Sequence, residues 1–116
     1  MAPKSRTTTE RTLDGLADRL ANCRRLRTGS IGFHLSGRGG GDYVIECRPG
    51  AAVVSDSCEL RPHDLEVMGS ATKVRALVSG ERDATAVFLS GGVRLRGDIR
   101  YASDLALELG LIDQPL

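Results

Sequence analysis

The sequence predicts an α+β domain: a single, mostly antiparallel sheet of about five strands, with an N-terminal and a C-terminal helix packed on one face. Three observations carry that expectation. Apolar residues recur at helical spacing near both ends of the chain, they alternate with period two between, and glycine-rich turns separate the alternating runs. A chain of 116 residues fits one domain. A domain of that size buries roughly two thirds of its unfolded surface, enough for its own core and one modest cavity.

Residues 1–8 are polar and aperiodic, the pattern of a disordered arm ahead of a domain over residues 9–116. Over residues 9–28, Leu13, Leu16, Ala17, Leu20 and Cys23 form one apolar helical stripe. Thr7 and Glu10 have the spacing of a capping box, Arg24, Arg25 and Arg27 suit the negative end of the helix dipole, and Gly29 suits a left-handed cap. At Ser30 the period becomes two. Ile31, Phe33 and Leu35 alternate with Gly32, His34 and Ser36, so a strand with one buried face is expected. Residues 37–42 turn the chain into a second strand, in which Tyr43, Ile45 and Cys47 share a face. Arg48, Pro49 and Gly50 turn it again, into a third strand from Ala51 toward Cys58. These three make an antiparallel meander, and residues 64–68 are grouped with them as a fourth strand. Ser70 caps a short helix over residues 71–78 that Gly80 ends, and a second short helix runs from Asp83 through Leu89. After Ser90, Gly91 and Gly92, residues 93–96 alternate as a strand. Asp98 then caps a final helix with Tyr101, Ala102, Leu105, Ala106 and Leu109 on one face.

Composition excludes several function classes. Sixteen basic residues nearly cancel fifteen acidic ones, for a net charge of +1, so no global field draws the chain to nucleic acid or an anionic membrane. Two Phe, two Tyr and no Trp leave few rings for stacking on bases. No nucleic-acid partner is expected. Cys23, Cys47 and Cys58 match neither a metal clip nor a disulfide framework and fit reduced thiols in the cytoplasm. No apolar run reaches the length of a membrane span and no signal-peptide core is present, so stable membrane insertion is not expected. Of the sixteen basic residues fourteen are Arg, which with abundant Ala and Gly suggests a bacterial, GC-rich coding sequence.

The candidate chemistry is sparse. Gly37, Gly39, Gly40 and Gly41 lead into a strand, whereas a phosphate loop leads into a helix, so they are a hairpin loop. His34 lies on the polar phase of its strand, and neighbours such as His63 and Asp64 point to opposite faces. No His, Cys or Asp spacing supplies a third and fourth metal ligand. Cys58 alone is placed for thiol reactivity. Arg94 and Arg96 alternate outward as a solvated strand face; the alternative is a surface for an anionic head group or an acidic partner. No catalytic residue, metal or cofactor is assigned.

The segment Phe88-Leu89-Ser90-Gly91-Gly92-Val93-Arg94-Leu95-Arg96-Gly97-Asp98 resembles a recurring feature of the sterol carrier protein type 2 family. There a helix ending in Phe meets a small-residue turn, a short basic and apolar strand, a Gly-Asp or Gly-Asn pair and a Leu-rich helix. The resemblance extends as an order of elements over roughly residues 12 to 112. It implies an apolar cavity between sheet and helices for a sterol, fatty acid or other amphipathic molecule. By position its wall would come from Phe33, Leu35, Val67, Val74, Leu77, Phe88, Leu105 and Leu109. Plain core packing writes the same pattern. The ending Ile112-Asp113-Gln114-Pro115-Leu116 differs from the Ser-Lys-Leu of the eukaryotic carriers and leaves little for a lid, so a smaller or shallower cavity is expected. Three functions follow. The first is binding or carrying of a small hydrophobic or amphipathic ligand, without catalysis. The second is a small enzyme of bacterial secondary metabolism using the same cavity and His34, Tyr43, Asp64 or Tyr101 for proton transfer. The third is an accessory subunit with a filled core, as a homodimer or on a partner protein.

Overall fold

The computed structural model describes residues 8–23, 28–55, 63–79, 84–112 and 114. Its elements are α1 (Thr8–Ala21), β1 (Gly29–Ser36), β2 (Gly41–Arg48), β3 (Ala51–Ser55), β4 (Leu65–Ser70), α2 (Ala71–Ser79), α3 (Ala84–Leu89), β5 (Val93–Gly97) and α4 (Ile99–Glu108). The α+β class and the five-stranded sheet stand as expected. Residues 1–7 of the expected arm lie outside the described residues, and α1 opens at Thr8. Thr7, Arg24, Arg25, Arg27, Cys58, Pro62, Gly80 and Asp83 also lie outside them.

The strand order is β3-β2-β1-β4-β5. β1, β2 and β3 form the antiparallel meander, and β5 runs antiparallel to β4. One point differs from expectation: β4 pairs with β1 in parallel. β3 and β4, consecutive in the chain, thus stand on opposite sides of the β1–β2 pair, and β4 joins β1 in the same direction. Alternation records which face a side chain takes but not the direction of its strand.

The register builds one continuous apolar face. Ile31 stands opposite Ile45 and Leu65, and Phe33 opposite Tyr43 and Val67, with Val67 in turn opposite Leu95. All helices cover this face. α1 lies over β2 and β3 and buries Leu13, Leu16, Ala17 and Leu20; α4 lies over β4 and β5 and buries Tyr101, Ala102 and Leu105. Ile45 at 0% and Tyr101 at 1% exposure mark the core centre. The opposite face carries His34, Asp42, Glu66, Arg94 and Arg96.

The helix boundaries follow their caps. The Ser70 hydroxyl accepts the Lys73 N–H at 3.2 Å, and an Asp98 carboxylate oxygen accepts the Tyr101 N–H at 3.0 Å. Gly29 does not cap α1, which ends at Ala21 and not near residue 28. It begins β1, where a Cβ would lie 2.9 Å from the Tyr101 ring. The demand there is for room, not for a left-handed backbone.

Two glycines separate the physics of space and conformation. Gly97 has φ +101 and a Cβ there would stand 2.6 Å from the Asp64 carbonyl oxygen; Gly15 sits in α1 with nothing within 4 Å. Gly97→Ala is expected to lower unfolding free energy by about 2–3 kcal/mol. Gly15→Ala is expected to raise it by roughly 0.5–1 kcal/mol. Urea denaturation of the two variants checks both signs.

Candidate functional site

The apolar face of the sheet is not uniformly filled. A cavity partly open to solvent lies between β1, β4 and β5 below and the four helices above, with a volume of about 110 Å³. Counted with the solvent-open cleft it leads into, the space is about 800 Å³. Its floor is the cross-strand row Phe33, Val67 and Leu95, flanked by Ile31, Leu65 and Val93.

The roof explains why space remains. α4 turns Ala102, Leu105, Ala106 and Leu109 toward the floor, so methyl groups stand where larger side chains would close the gap. Leu16 and Leu20 of α1 and Val74, Leu77 and Val78 of α2 close the inner end. Thr85 and Phe88 of α3 stand at the outer end. Val67, Leu77, Phe88, Leu95, Ala106 and Leu109 are only half-buried, whereas Leu16, Leu20, Ile31, Phe33 and Leu65 are buried. The buried lining thus lies toward α1 and β1, and the more exposed lining comes from α3, β5, Leu77 and the end of α4. Among the described residues, exposed Thr85 is the one polar side chain of the lining.

At the end of α4, Gly110 takes φ +72. The Leu111 N–H bonds the Ala106 carbonyl at 2.9 Å and the Gly110 N–H the Leu107 carbonyl at 3.1 Å, the two bonds of a Schellman cap. The reversal brings Leu111 and Ile112 back to the cavity as a lip.

Of the eight residues singled out from the sequence, Phe33, Val67, Val74, Leu77, Phe88, Leu105 and Leu109 surround this space. Leu35 does not. It sits one row further along β1, opposite Gly69, in the packed core at 7% exposure. Val74 comes within 3.5 Å of the position a Gly69 Cβ would take, so α2 closes that row against the sheet. Leu16 and Leu20 had been read only as a helix stripe. Leu111 and Ile112 are not among those eight, although Gly followed by two apolar residues is the sequence sign of a cap with a hydrophobic return.

The polar candidates for proton transfer do not line the cavity. Tyr101 is buried against Gly29, and Tyr43 is half-buried opposite Phe33. An Asp64 carboxylate oxygen accepts the Ser30 N–H at 2.8 Å, while His63 Nδ1 pairs with the Ser30 hydroxyl at 3.2 Å. Asp64 thus serves the backbone of Ser30 and not the imidazole, and no relay forms. Among the described residues no group of three His, Cys, Asp or Glu could hold a metal ion. Burial pushes the Cys47 thiol up, partly offset by a hydrogen bond from Tyr101, and burial also raises Cys23. A second depression of about 470 Å³ lies at the start of β1, walled by Ser30, Glu46, Arg48 and Asp64. Its charged walls keep it wet, so apolar burial gains nothing there.

On the outer face His34 is held between two carboxylates. Nδ1 lies 3.1 Å from Asp42 at the start of β2, and Nε2 lies 3.0 Å from Glu66 on β4. An ionised carboxylate only accepts, so both ring nitrogens donate only when the imidazole is doubly protonated. The Glu66 hydrogen bond, opposed by partial desolvation and reinforced by Asp42, raises the His34 pKa above its ordinary 6.5. The imidazolium staples β2, β1 and β4 together.

The sequence model of the SCP-2 sterol transfer family matches residues 10–107. A comparison with curated protein sequences finds no match. Among solved structures the fold is similar to part of a double mutant of the sec-alkyl sulfatase Pisa1 from Pseudomonas, at TM-score 0.72 and 18% identity over 93% of this chain. This chain corresponds to only 17% of that sulfatase's length. It is similar to palmitated SCP2L2 from Aedes aegypti, at TM-score 0.67 and 15% identity over 89% of this chain and 95% of the other. It is similar as well to the ubiquinone synthesis protein UbiJ-SCP2, at TM-score 0.66 and 19% identity over 89% and 93% of the two chains. At these identities the likeness is one of fold.

The His34 staple makes stability depend on pH in one direction. With the folded pKa above that of the unfolded chain, its contribution is fully present below about pH 6.5 and fades as pH rises through the folded value. The His34 ring protons should titrate above pH 6.5 by NMR. Glu66→Gln should bring that midpoint down and flatten the fall in urea midpoint between slightly acidic and alkaline buffer. A His34 midpoint at or below 6.5 would contradict the staple.

Proposed function

The chain belongs to the SCP-2 sterol transfer family, and from that premise we propose that it binds a small hydrophobic or amphipathic molecule, such as a lipid or acyl chain, in the cavity under α4. One observation carries the proposal: the walls are aliphatic or aromatic apart from Thr85 at the rim, and the space opens at one end. Such a site gains its free energy by removing apolar ligand surface from water, at about 0.8 kcal/mol per buried methylene. Among the described residues its lining offers no buried side-chain donor or acceptor with which to hold a head group. A polar head stays at the mouth, where the lining is more exposed. Phe33, Val67, Val74, Leu77, Phe88, Leu105 and Leu109 are the ligand contacts, and Leu35 supports the floor from the adjoining row. The palmitated state of the Aedes aegypti SCP2L2 neighbour supports an acyl chain as the kind of occupant. The free thiols of Cys23 and Cys47 suit a reducing compartment such as the cytoplasm.

Size sets the mode of binding. The cavity's 110 Å³ is below the roughly 300–1,000 Å³ typical of ligand pockets. It is nearer the roughly 150 Å³ of an apolar cavity that stays dry and accepts a benzene ring. A chain end enters first, and a longer ligand displaces Leu111, Ile112 and the end of α4 into the solvent-open cleft.

Native mass spectrometry of gently purified protein should show a co-purified apolar adduct. Delipidated protein at a ligand concentration 100 times Kd should gain about 2.7 kcal/mol, seen as a rise in Tm. Ala106→Leu adds three carbons to the cavity roof and should weaken binding by roughly 2 kcal/mol, since a similar number of ligand methylenes lose their place. If neither acyl chains nor polycyclic ligands raise the Tm of the delipidated protein, the proposal fails.

A further inference from the structure

Arg19 of α1 fastens three helices above the cavity. Its Nη1 donates to the Val78 carbonyl in the last turn of α2 at 2.9 Å, and its Nη2 donates to the Leu109 carbonyl at the C-cap of α4, also at 2.9 Å. These partners lie 59 and 90 residues away along the chain. Carbonyls at the end of a helix lack an intrahelical donor and carry the negative end of its dipole, so a cation from a neighbouring helix meets both needs. Here one guanidinium does so for two helices. Its nitrogens form a rigid planar fork that is always charged. The two helix ends cannot part without breaking one of its charge-assisted bonds.

The residues it holds are wall residues. Val78 and Leu109 both line the cavity, as do Leu77 beside the first and Leu16 and Leu20 to either side of Arg19 in α1. Beyond Leu109 the reversal at Gly110 carries Leu111 and Ile112 back to the cavity. The Leu109 carbonyl is therefore the root of the lip. α4 is seated at its other end, where Tyr101 packs against Gly29 and Asp98 accepts the Tyr101 N–H. Arg19 thus holds the far end of a helix whose start is fixed.

We propose that Arg19 is a specificity-determining residue that sets the length of chain the cavity accepts, by holding the ends of α2 and α4 together until a longer ligand breaks the hold. The proposal rests on the ligand-binding function above. A short chain fits while both Arg19 bonds stand, and it gains free energy with each methylene buried. A longer chain adds buried methylenes only by lifting Leu111, Ile112 and the end of α4, which strips the Leu109 carbonyl of its cation. A hydrogen bond to a charged group contributes about tenfold to an equilibrium constant, at the low end of its range where the bond is exposed to solvent. The gain from further methylenes is offset by that amount. A role in stability alone would act alike on ligands of every length, so the two roles separate on chain length. Arg11, also exposed on α1, makes neither of these bonds and serves as the comparison.

Isothermal titration of the delipidated full chain with octanoate and with hexadecanoate tests this, read as the ratio of the two Kd values. Arg19→Gln should shift that ratio about tenfold toward hexadecanoate while octanoate affinity changes less than about threefold. Arg19→Lys keeps the charge but loses the fork and should fall between the parent and Arg19→Gln. Arg11→Gln should leave the ratio unchanged. Amide hydrogen exchange gives a second reading that needs no ligand. The Gly110 and Leu111 N–H groups, which close the cap of α4, should exchange about tenfold faster in Arg19→Gln, and those of Ile31 and Phe33 in β1 at the parent rate. Should Arg19→Gln fail to fold, Arg19→Lys carries both measurements. An equal change in affinity for the two acids, an unchanged ratio, or unaltered exchange at Gly110 and Leu111 would overturn the proposal. If neither acid binds the parent protein, the ligand-binding function fails and the length limit falls with it. If both bind with one ratio in parent and variants, that function stands and only the role of Arg19 is lost.

Discussion

The ring of Tyr101 occupies the space that a side chain at Gly29 would need, and its hydroxyl bonds the buried Cys47 thiol. That seat ties the first turn of α4 to the start of β1 and the end of β2. The rest of α4 is positioned from there. With Asp98 satisfying the Tyr101 N–H and bonded through its own N–H to the Asp64 carbonyl at 2.7 Å, the helix leaves the sheet at a fixed point. Its Ala102 and Ala106 then pass over Phe33, Val67 and Leu95. A helix free to settle elsewhere would sink onto the floor and close the gap.

Keeping that gap is costly. Side chains that face a gap lose the packing contacts they would make across it. A small domain has little stability to spare for such losses. Two alanines facing a row of larger side chains are therefore a local conflict between stability and shape, and such conflicts gather where a protein does its work. The aliphatic lip of Leu111 and Ile112 limits the cost by covering part of the opening with the chain's own carbon.

How much of this was legible in the sequence depended on range. Helix stripes, strand phase, the caps at Ser70 and Asp98 and the turn over residues 90–92 are written in neighbouring residues, and each stands in the structure. The segment Phe88 to Asp98 was the most informative because its turn, strand and cap must occur in that order and at that spacing. The parallel pairing of β4 was not legible, because it depends on where the chain returns after β3. Nor was the loss of Leu35 from the cavity, which follows from Gly69 admitting α2 one row away. Gly29 was misread because room for a distant ring and freedom for a helix cap call for the same residue. His34 lay on the expected face, but its two carboxylates come from other strands, eight and thirty-two residues away. Filled core and cavity wall remain indistinguishable in sequence, so the space itself had to be seen.

The pairing of β1 on both sides has a mechanical consequence. Floor residues Ile31 and Phe33 belong to a strand hydrogen-bonded to β2 and β4, so they yield little under load. Above them are α3, six residues long, and the tail of α4, neither of them part of the sheet's hydrogen-bond ladder. The container is thus rigid below and compliant above. Redesign for a bulkier guest belongs in the roof, where a changed side chain can be absorbed without disturbing the strands.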